Sequence, residues 1–452
     1  MDLNYKEIIL NSHSLKRVDG SSKLDYVLNI MRNYYENEDL DGIETSITQL
    51  LQMIESEPIV HESKIISSLL PEILLNLCRR CVEDKLLLKC LNLIGKIVFS
   101  NKIANEFVIL DPLQVILQIY ESQNRTISNS SLKLLKSLLN YDSSNQYFAQ
   151  ESLLKYVIDE LNLLLANPHR DYEITSNFLS VLSKLILICD FEHIKGDIIT
   201  IIQIAFSEMM KYQYLSSSAP LLYNLTKRIG YMEIYEKGFL ALAMELMVDI
   251  RAQKSFEDFL RIVSCVLYNP SESIPKEIIE KIPISSIIKK LELQSILPIQ
   301  TESIIVLLAN YSFLGPEYTH ILLNDDTISI LCTRAKESRY SIRFEVINLF
   351  WVIASHTSYE CIIHLFQTQA VDVMVDLFTL DDDDIPQILN EAVYPVFIKL
   401  KNADLFDCPE LNRAMEEFYQ GLMFLKDSDL SKSSMIASDI LQICFTNKLN
   451  DL

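Results

Sequence analysis

LKSLLNYDSSN (135–145) is the end of an apolar helix running into a polar turn, and the chain repeats that transition along most of its length. Further instances are NLIGKIVFSN (92–101), LLYNLTKRIG (221–230), LLANYSFLG (307–315), FWVIASHTS (350–358) and PVFIKLKN (395–402). Set on one frame, the turn falls at Lys96, Asn140, about Lys184, Asn224, Asn269, Asn310, Val352 and Phe397. These places lie roughly 40–45 residues apart, the length of one helical supersecondary unit. Such a unit cannot bury its apolar face alone and must stack on its neighbours, which builds an elongated groove. The pattern predicts an all-α solenoid that holds other chains, and argues against a pocket enzyme.

Composition agrees. The chain has 452 residues, which as ordinary globular domains would make about three, but a stack of repeats absorbs any length. Hydrophobic residues make up 49%, enough for a continuous core, and only 8 glycines are present. Glycine-rich phosphate loops and turn-rich sheets are therefore disfavoured, and long Leu/Ile/Lys/Glu/Ser segments with few breakers read as helix. The net charge of −21 comes from 61 acidic against 40 basic residues, with no basic stripe. That excludes nucleic acid as an expected partner and suits basic peptides, which an acidic body attracts. Nine cysteines lie at irregular places, among them Cys90, Cys189, Cys265 and Cys444 inside apolar helices. This is the pattern of reduced, buried thiols. MDLNYKEIIL (1–10) has neither the basic flank nor the apolar core of a secretory signal. No stretch of about 18 apolar residues occurs, so no membrane insertion is expected. Cytoplasm and nucleus are the expected location.

Along the chain, residues 1–22 read as a polar arm, 23–400 as the repeats and 401–452 as a capping repeat with a more polar face. Within the repeats the pattern predicts helices at 64–81, 83–99 and about 102–109. It continues with pairs near 153–166 and 172–188, 197–211 and 215–228, 239–252 and 255–267. Further pairs fall near 284–292 and 299–312, 327–337 and 340–355, and 369–379 and 386–401. A short helix often follows the second, as in NQYFAQESL, YMEIYEKGF, PEYTHILLN and SYECIIHLF. Three helices per unit suggest the armadillo rather than the two-helix HEAT arrangement: a right-handed armadillo-type α-solenoid of about eight to ten repeats. Asp381–Asp384, the one low-complexity run, reads as a solvated loop.

Three stretches resemble the importin-α family of nuclear import adaptors. LLQMIESEPIVHESKIISSLLPEILLNL (50–77) is similar to its entry repeat, with Ser68-Leu69-Leu70-Pro71 at its Gly-Leu-Pro step. SIRFEVINLFWVIASHTSYECIIHLFQTQAVDVMVDLF (341–378) is similar to a repeat of the I-R-K-E-A-x-W-x-I-S-N-I type and the helix after it. QGLMFLKDSDLSKSSMIASDILQICF (420–445) is similar to the closing repeat.

The resemblance implies a cargo adaptor that binds extended basic nuclear-localisation segments in its groove. In that family an Asn of each repeat bonds the peptide backbone, for which an amide both donates and accepts. A Trp one turn earlier walls the Lys and Arg stems. Carried across, the Asn places give Asn140, Asn224, Asn269 and Asn310 as the expected peptide-binding residues. The Trp places hold Asn92, Lys136, Ser180, Pro220, Cys265, Val306, Asn348 and Val393, none of them Trp. The only tryptophan, Trp351, lies one residue from an Asn place and is expected in the core. An Asn at a long helix's end also serves as an ordinary cap. The family's basic arm binds an importin-β carrier. Residues 1–22 hold only Lys6, Lys16 and Arg17, so that partnership is expected to be weak here. A general armadillo scaffold with another protein partner is the alternative reading.

No catalytic residue, cofactor or metal site is expected. Cys78-Arg79-Arg80-Cys81 has CxxC spacing without a second pair, and His356, Cys361 and His364 lack a fourth ligand. GxxxxGK[ST], GxSxG, HExxH and EF-hand patterns are absent from the sequence.

Overall fold

The computed structural model describes residues 20–56, 62–80, 83–195, 197–209, 211–228, 238–268, 274–293, 295–337, 339–380, 382–406, 408–428 and 431–446. Among these every regular element is helical. Nearly all of the arm, with Lys6, Lys16 and Arg17, lies outside them, as do Cys81, Asn269 and Asp381. The chain divides into two compact units, Met1–Arg228 and Ile229–Leu452.

In the first unit α1 (Gly20–Glu36) and α2 (Leu40–Ser56) precede a recurring trio of shorter, medium and long helices. The trios are α3 (Glu62–Ser67), α4 (Leu70–Arg79) and α5 (Asp84–Ile97); then α6 (Asn101–Ile109), α7 (Pro112–Tyr120) and α8 (Arg125–Leu138). They continue with α9 (Asp142–Phe148), α10 (Glu151–Ala166) and α11 (Tyr172–Ile188), then α12 (Phe191–Lys195), α13 (Ile198–Met209) and α14 (Leu215–Thr226). The long helices α2, α5, α8, α11 and α14 pack successively, each on the next.

The second unit opens with α15 (Phe239–Val248) and α16 (Phe256–Leu267). It continues with α17 (Lys276–Ile279), α18 (Ile284–Lys290) and α19 (Pro298–Ser312), then α20 (Pro316–Thr319), α21 (Asp325–Glu337) and α22 (Tyr340–His356). Next come α23 (Tyr359–Gln367), α24 (Ala370–Val375), α25 (Ile385–Ile388) and α26 (Tyr394–Asn402), and the pair α27 (Asn412–Lys426) and α28 (Ser431–Cys444) closes it. Here α16, α19 and α22 form the corresponding series, and α22 packs on α26.

Local chemistry sets the boundaries. Asn124 accepts from Thr126 N–H at 3.1 Å to start α8, and Asp171 accepts from Ile174 N–H at 3.1 Å to start α11. Each satisfies an amide that the helix start leaves unpaired. The helix expected over 64–81 is two helices, α3 and α4, because Leu69 adopts a left-handed conformation (φ 58°) before Pro71. The step recurs at Asp111 (φ 54°) before Pro112. Proline tolerates a helix's first turn, where its missing N–H would have had no partner. The helix expected near 386–401 is interrupted by a π-turn at Leu389–Val393, just before Pro395. Pro395 offers no N–H to the carbonyl four residues back, and its ring crowds that carbonyl; a widened turn relieves both.

The repeat is also written in the hydrogen bonds. Polar side chains reach across one repeat length to the neighbouring trio: Tyr141 Oη to the Val98 carbonyl (2.8 Å), Tyr120 Oη to Glu160 (2.9 Å), Thr319 Oγ1 to Thr357 Oγ1 (3.0 Å). Cationic side chains cover the carbonyl ends of neighbouring helices. Arg228 donates to the carbonyls of Ile186 (3.0 Å), Leu187 and Cys189 (3.3 Å), and Arg334 to those of Leu291 (2.5 Å) and Leu293 (3.0 Å). These are the orphan acceptors at the negative end of the helix dipole, so each repeat finishes its predecessor. The half-buried cationic head of Arg170 is treated alike, donating to Tyr214 Oη (2.9 Å) and to the buried Glu208 carboxylate (2.5 Å).

Apolar stripes fill the interior. Leu132, Leu135 and Leu138 on α8 are fully buried, each worth about 1.5–3 kcal/mol relative to exposure. In the second unit Trp351 is fully buried among Phe366, Phe378, Phe397 and Phe418, with ring centroids 5.1–6.3 Å away. Its indole N–H donates to the Met374 carbonyl at 3.3 Å. One residue off the Asn place, it is a core residue.

The ladder face as a candidate protein-binding site

The outward face of the successive long helices, hereafter the ladder face, is where the expected amide residues belong. Asn140 is exposed at the end of α8, and its backbone N–H bonds the Ser137 carbonyl at 3.2 Å. Asn224 and Asn310 are buried. The Asn224 amide donates to the Ser183 carbonyl (2.8 Å) and hydroxyl (2.9 Å) of α11. The Asn310 amide donates to the Ser264 hydroxyl (2.7 Å) and carbonyl (3.3 Å) of α16. Both therefore spend their donors on tying adjacent long helices together, and Asn269 lies outside the described residues. Of the remaining Asn places, Val352 and Phe397 are buried apolar contacts.

Charged side chains populate the face instead. In the first unit Lys85 (2.7 Å) and Lys89 (2.8 Å) both reach Glu44 on α2, and hold its carboxyl down at about 2. Lys96 pairs with Glu55 at 2.6 Å. One helix on, Lys133 lies 3.9 Å from Glu173, and Lys136 donates to Ser180 Oγ at 3.3 Å. The half-buried Lys136 ammonium is pushed below its usual range by burial and by Lys184 and Lys133. Three cations thus share one stretch of α8 and α11 with a single carboxylate. At the end of α14, Lys227 sits over the Tyr223 ring, 4.4 Å from its centroid.

In the second unit α16, α19 and α22 enclose a recess of about 380 Å³ lined by Arg261, Ser264, Ile299, Glu302, Ser303, Val306, Ser341 and Glu345. Arg261 pairs with Glu257 along its own helix, and Glu302 accepts from Ser341 Oγ. The Glu345 carboxyl is raised by burial and by Glu302 and Asp384. On α16 Asp258 is raised to about 6 by burial and by Glu257. Desolvation first, and neighbouring like charge second, disfavour the charged form of both carboxyls, with Arg261 acting in the opposite sense on Asp258. Ile299 and Val306 expose apolar surface in the same recess, and Tyr268 and Phe313 stand exposed at the ends of α16 and α19.

Reading the frame for amides did not single out Glu302 and Glu345. Their signal was present: Asp258, Glu302 and Glu345 recur at about one repeat length. Charge was visible as a total rather than as a row.

The other chemistry considered in the sequence has structural partners. The His364 ring nitrogen contacts the Leu323 carbonyl at 3.0 Å, and the His356 ring meets Phe313 edge-on at 4.7 Å. Cys78 and Cys90 are buried, and the neighbouring Cys78 together with burial raises the Cys90 thiol well above its usual range. Among the described residues no three His, Cys, Asp or Glu gather as metal ligands, and no single helix is long and apolar enough to cross a membrane.

Among solved structures, the chain is similar to one described as an engineered protein. The identity is 15% and the TM-score 0.59, and the match covers 94% of this chain and 98% of that one. At that identity the likeness concerns the fold alone. No protein-family model matches the sequence, and no curated protein does.

Proposed function

We propose that the chain is an armadillo-type solenoid that binds an extended basic segment of a partner protein on the ladder face of its second unit. Following the resemblance to importin-α, the segment is a nuclear-localisation signal and the chain a cargo adaptor for nuclear import. The observation that carries this reading is the recess, lined by Glu302 and Glu345 on adjacent helices and by Ile299 and Val306 on the helix of Glu302.

A Lys or Arg side chain needs apolar surface for its stem and a carboxylate for its head, and the recess supplies both. Neighbouring helix axes lie about 8–10 Å apart, close to the rise of three residues of a polyproline-II-like segment, about 9 Å, which also turns every third side chain to the same face. Basic residues at about every third position would therefore meet successive carboxylates. The buried Asn224 and Asn310 take no part, and Asn140 contributes at most an exposed amide.

The test is fluorescence anisotropy of a basic localisation peptide against the whole protein and the Glu302→Gln/Glu345→Gln double variant. Two charge-assisted contacts at a partly buried site are worth about tenfold in Kd, and the signal should weaken with salt. Undiminished binding by the double variant would remove the basis of the proposal.

A scaffold with a different partner remains the second reading, favoured by the lysines of the first unit, which would repel a basic segment. Fluorescence recovery across the nuclear envelope separates the two: a scaffold stays put, an adaptor exchanges.

A further inference from the structure

We propose that the ladder face of the first unit is a separate docking site for an extended acidic protein segment, held by Lys133, Lys136 and Lys184. This goes beyond the basic-segment reading and does not depend on it.

Three observations support it. Lys184 on α11 and Lys133 on α8 both act on Lys136 electrostatically, while Glu173 stands 3.9 Å from Lys133 and also accepts from the Asn129 amide. Second, the Lys136 ammonium is half-buried with only the neutral Ser180 hydroxyl as its hydrogen-bond partner in this cluster. A partly desolvated ammonium without a counter-charge is unfavourable, and a carboxylate laid across the two helices would relieve it. Third, Lys227 adds a further cation at the end of the next long helix, α14, seated over the Tyr223 ring, whereas Lys89 and Lys96 on α5 are already paired with Glu44 and Glu55.

The spacing specifies the ligand. Helix axes about 8–10 Å apart match a carboxylate at about every third residue of a polyproline-II-like segment, whose three-residue turn of about 9 Å keeps those side chains on one face. Ser137, Asn140, Ser176 and Ser180 place small polar side chains on the same two helices. A nucleic acid fits less well. Its closely spaced phosphates need a basic surface larger than this cluster.

The experiment titrates the full-length protein into a fluorescein-labelled peptide of about twelve residues with Glu at every third position, in parallel with a basic peptide and a single-stranded RNA. The parent protein should bind the acidic peptide in a salt-sensitive manner. The triple variant Lys133→Gln/Lys136→Gln/Lys184→Gln should bind it about tenfold more weakly, with binding of the basic peptide retained. Circular dichroism establishes that the variant is folded. If it is not, acetylation of the unaltered protein decides the question, since bound peptide should protect Lys136 and Lys184. Absence of acidic-peptide binding, binding indifferent to the triple change, or binding of RNA alone would each overturn the assignment. Because the basic peptide reports on the second unit, its failure bears on the previous proposal and not on this one.

Discussion

Changing Asn310 to Ala distinguishes a residue that reads a peptide from one that joins two repeats. The Asn310 amide makes two buried hydrogen bonds to Ser264, at 2.7 and 3.3 Å. The Ser264 carbonyl keeps a second donor, the Tyr268 N–H at 3.0 Å, so truncation does not orphan it fully. The hydroxyl loses its amide partner and a small void opens. Roughly 1 kcal/mol for each hydrogen bond gives a loss of about 2 kcal/mol.

The assay is urea unfolding followed by tryptophan emission. Trp351 is the only tryptophan and lies fully buried in the second unit, so its signal follows the unit that contains Asn310. With a slope of about 2 kcal/mol per molar urea, the midpoint should fall by about 1 M. Asn310→Asp should cost at least as much, because it replaces a buried donor with an acceptor facing acceptors. Asn140→Ala, at an exposed position, should stay within about 0.5 kcal/mol by circular dichroism. An Asn310→Ala midpoint equal to that of the parent, with loss of peptide binding, would refute the joining role and return Asn310 to the peptide ladder.

Four further outcomes are expected. Gly421→Ala should destabilise by about 1–3 kcal/mol by urea unfolding, because the new Cβ would lie 2.4 Å from the Phe378 ring. Gly95→Ala, where nothing lies within 4 Å, should instead stabilise α5 by about 0.5–1 kcal/mol in a thermal melt. Asp258, raised to about 6 from an ordinary 3.8, binds its proton more tightly folded than unfolded. Its ionisation therefore costs stability as pH rises from about 4 to 6 and fully above that. Asp258→Asn should stabilise the second unit by about 1–2 kcal/mol at pH 7.5 and give no gain at pH 4, read by Trp351 emission in urea. Because Glu345 is also raised, its protonation should make basic-peptide affinity fall on acidification at higher pH than an ordinary carboxylate would, and Glu345→Gln should flatten that dependence.

The helices were legible because each long helix must bury one stripe: Leu132, Leu135 and Leu138 announce α8 by spacing alone. What spacing could not show was a break forced by backbone conformation. Ser68-Leu69-Leu70-Pro71 carries no glycine, and nothing in a Leu residue signals the left-handed turn it adopts. The amide places were readable as positions but not as roles. An Asn at the end of a long helix suits a peptide ligand, a cap or a neighbouring repeat, and which one wins depends on whether a Ser stands opposite it. Ser183 and Ser264 do so for Asn224 and Asn310.

The spent amides bear on how any groove ligand is recognised. A ladder of free Asn side chains would hold a peptide by its backbone, which every sequence shares, and leave charge to select among sequences. With Asn224 and Asn310 turned inward, backbone capture is weakened and more of the affinity must come from ion contacts. Those contacts are salt-sensitive where exposed and stronger where burial has already paid the desolvation of the protein's own charge. Lys136, Glu345 and Asp258 are the groups so prepared, one cationic on the first unit and two acidic on the second. Affinity on either face should therefore follow the sign and spacing of a ligand's charges more than its backbone. A neutral extended peptide of matching length, with Ser in place of every charge, should bind neither unit measurably. If it bound as well as the charged peptides, backbone capture would be operating through groups other than these asparagines.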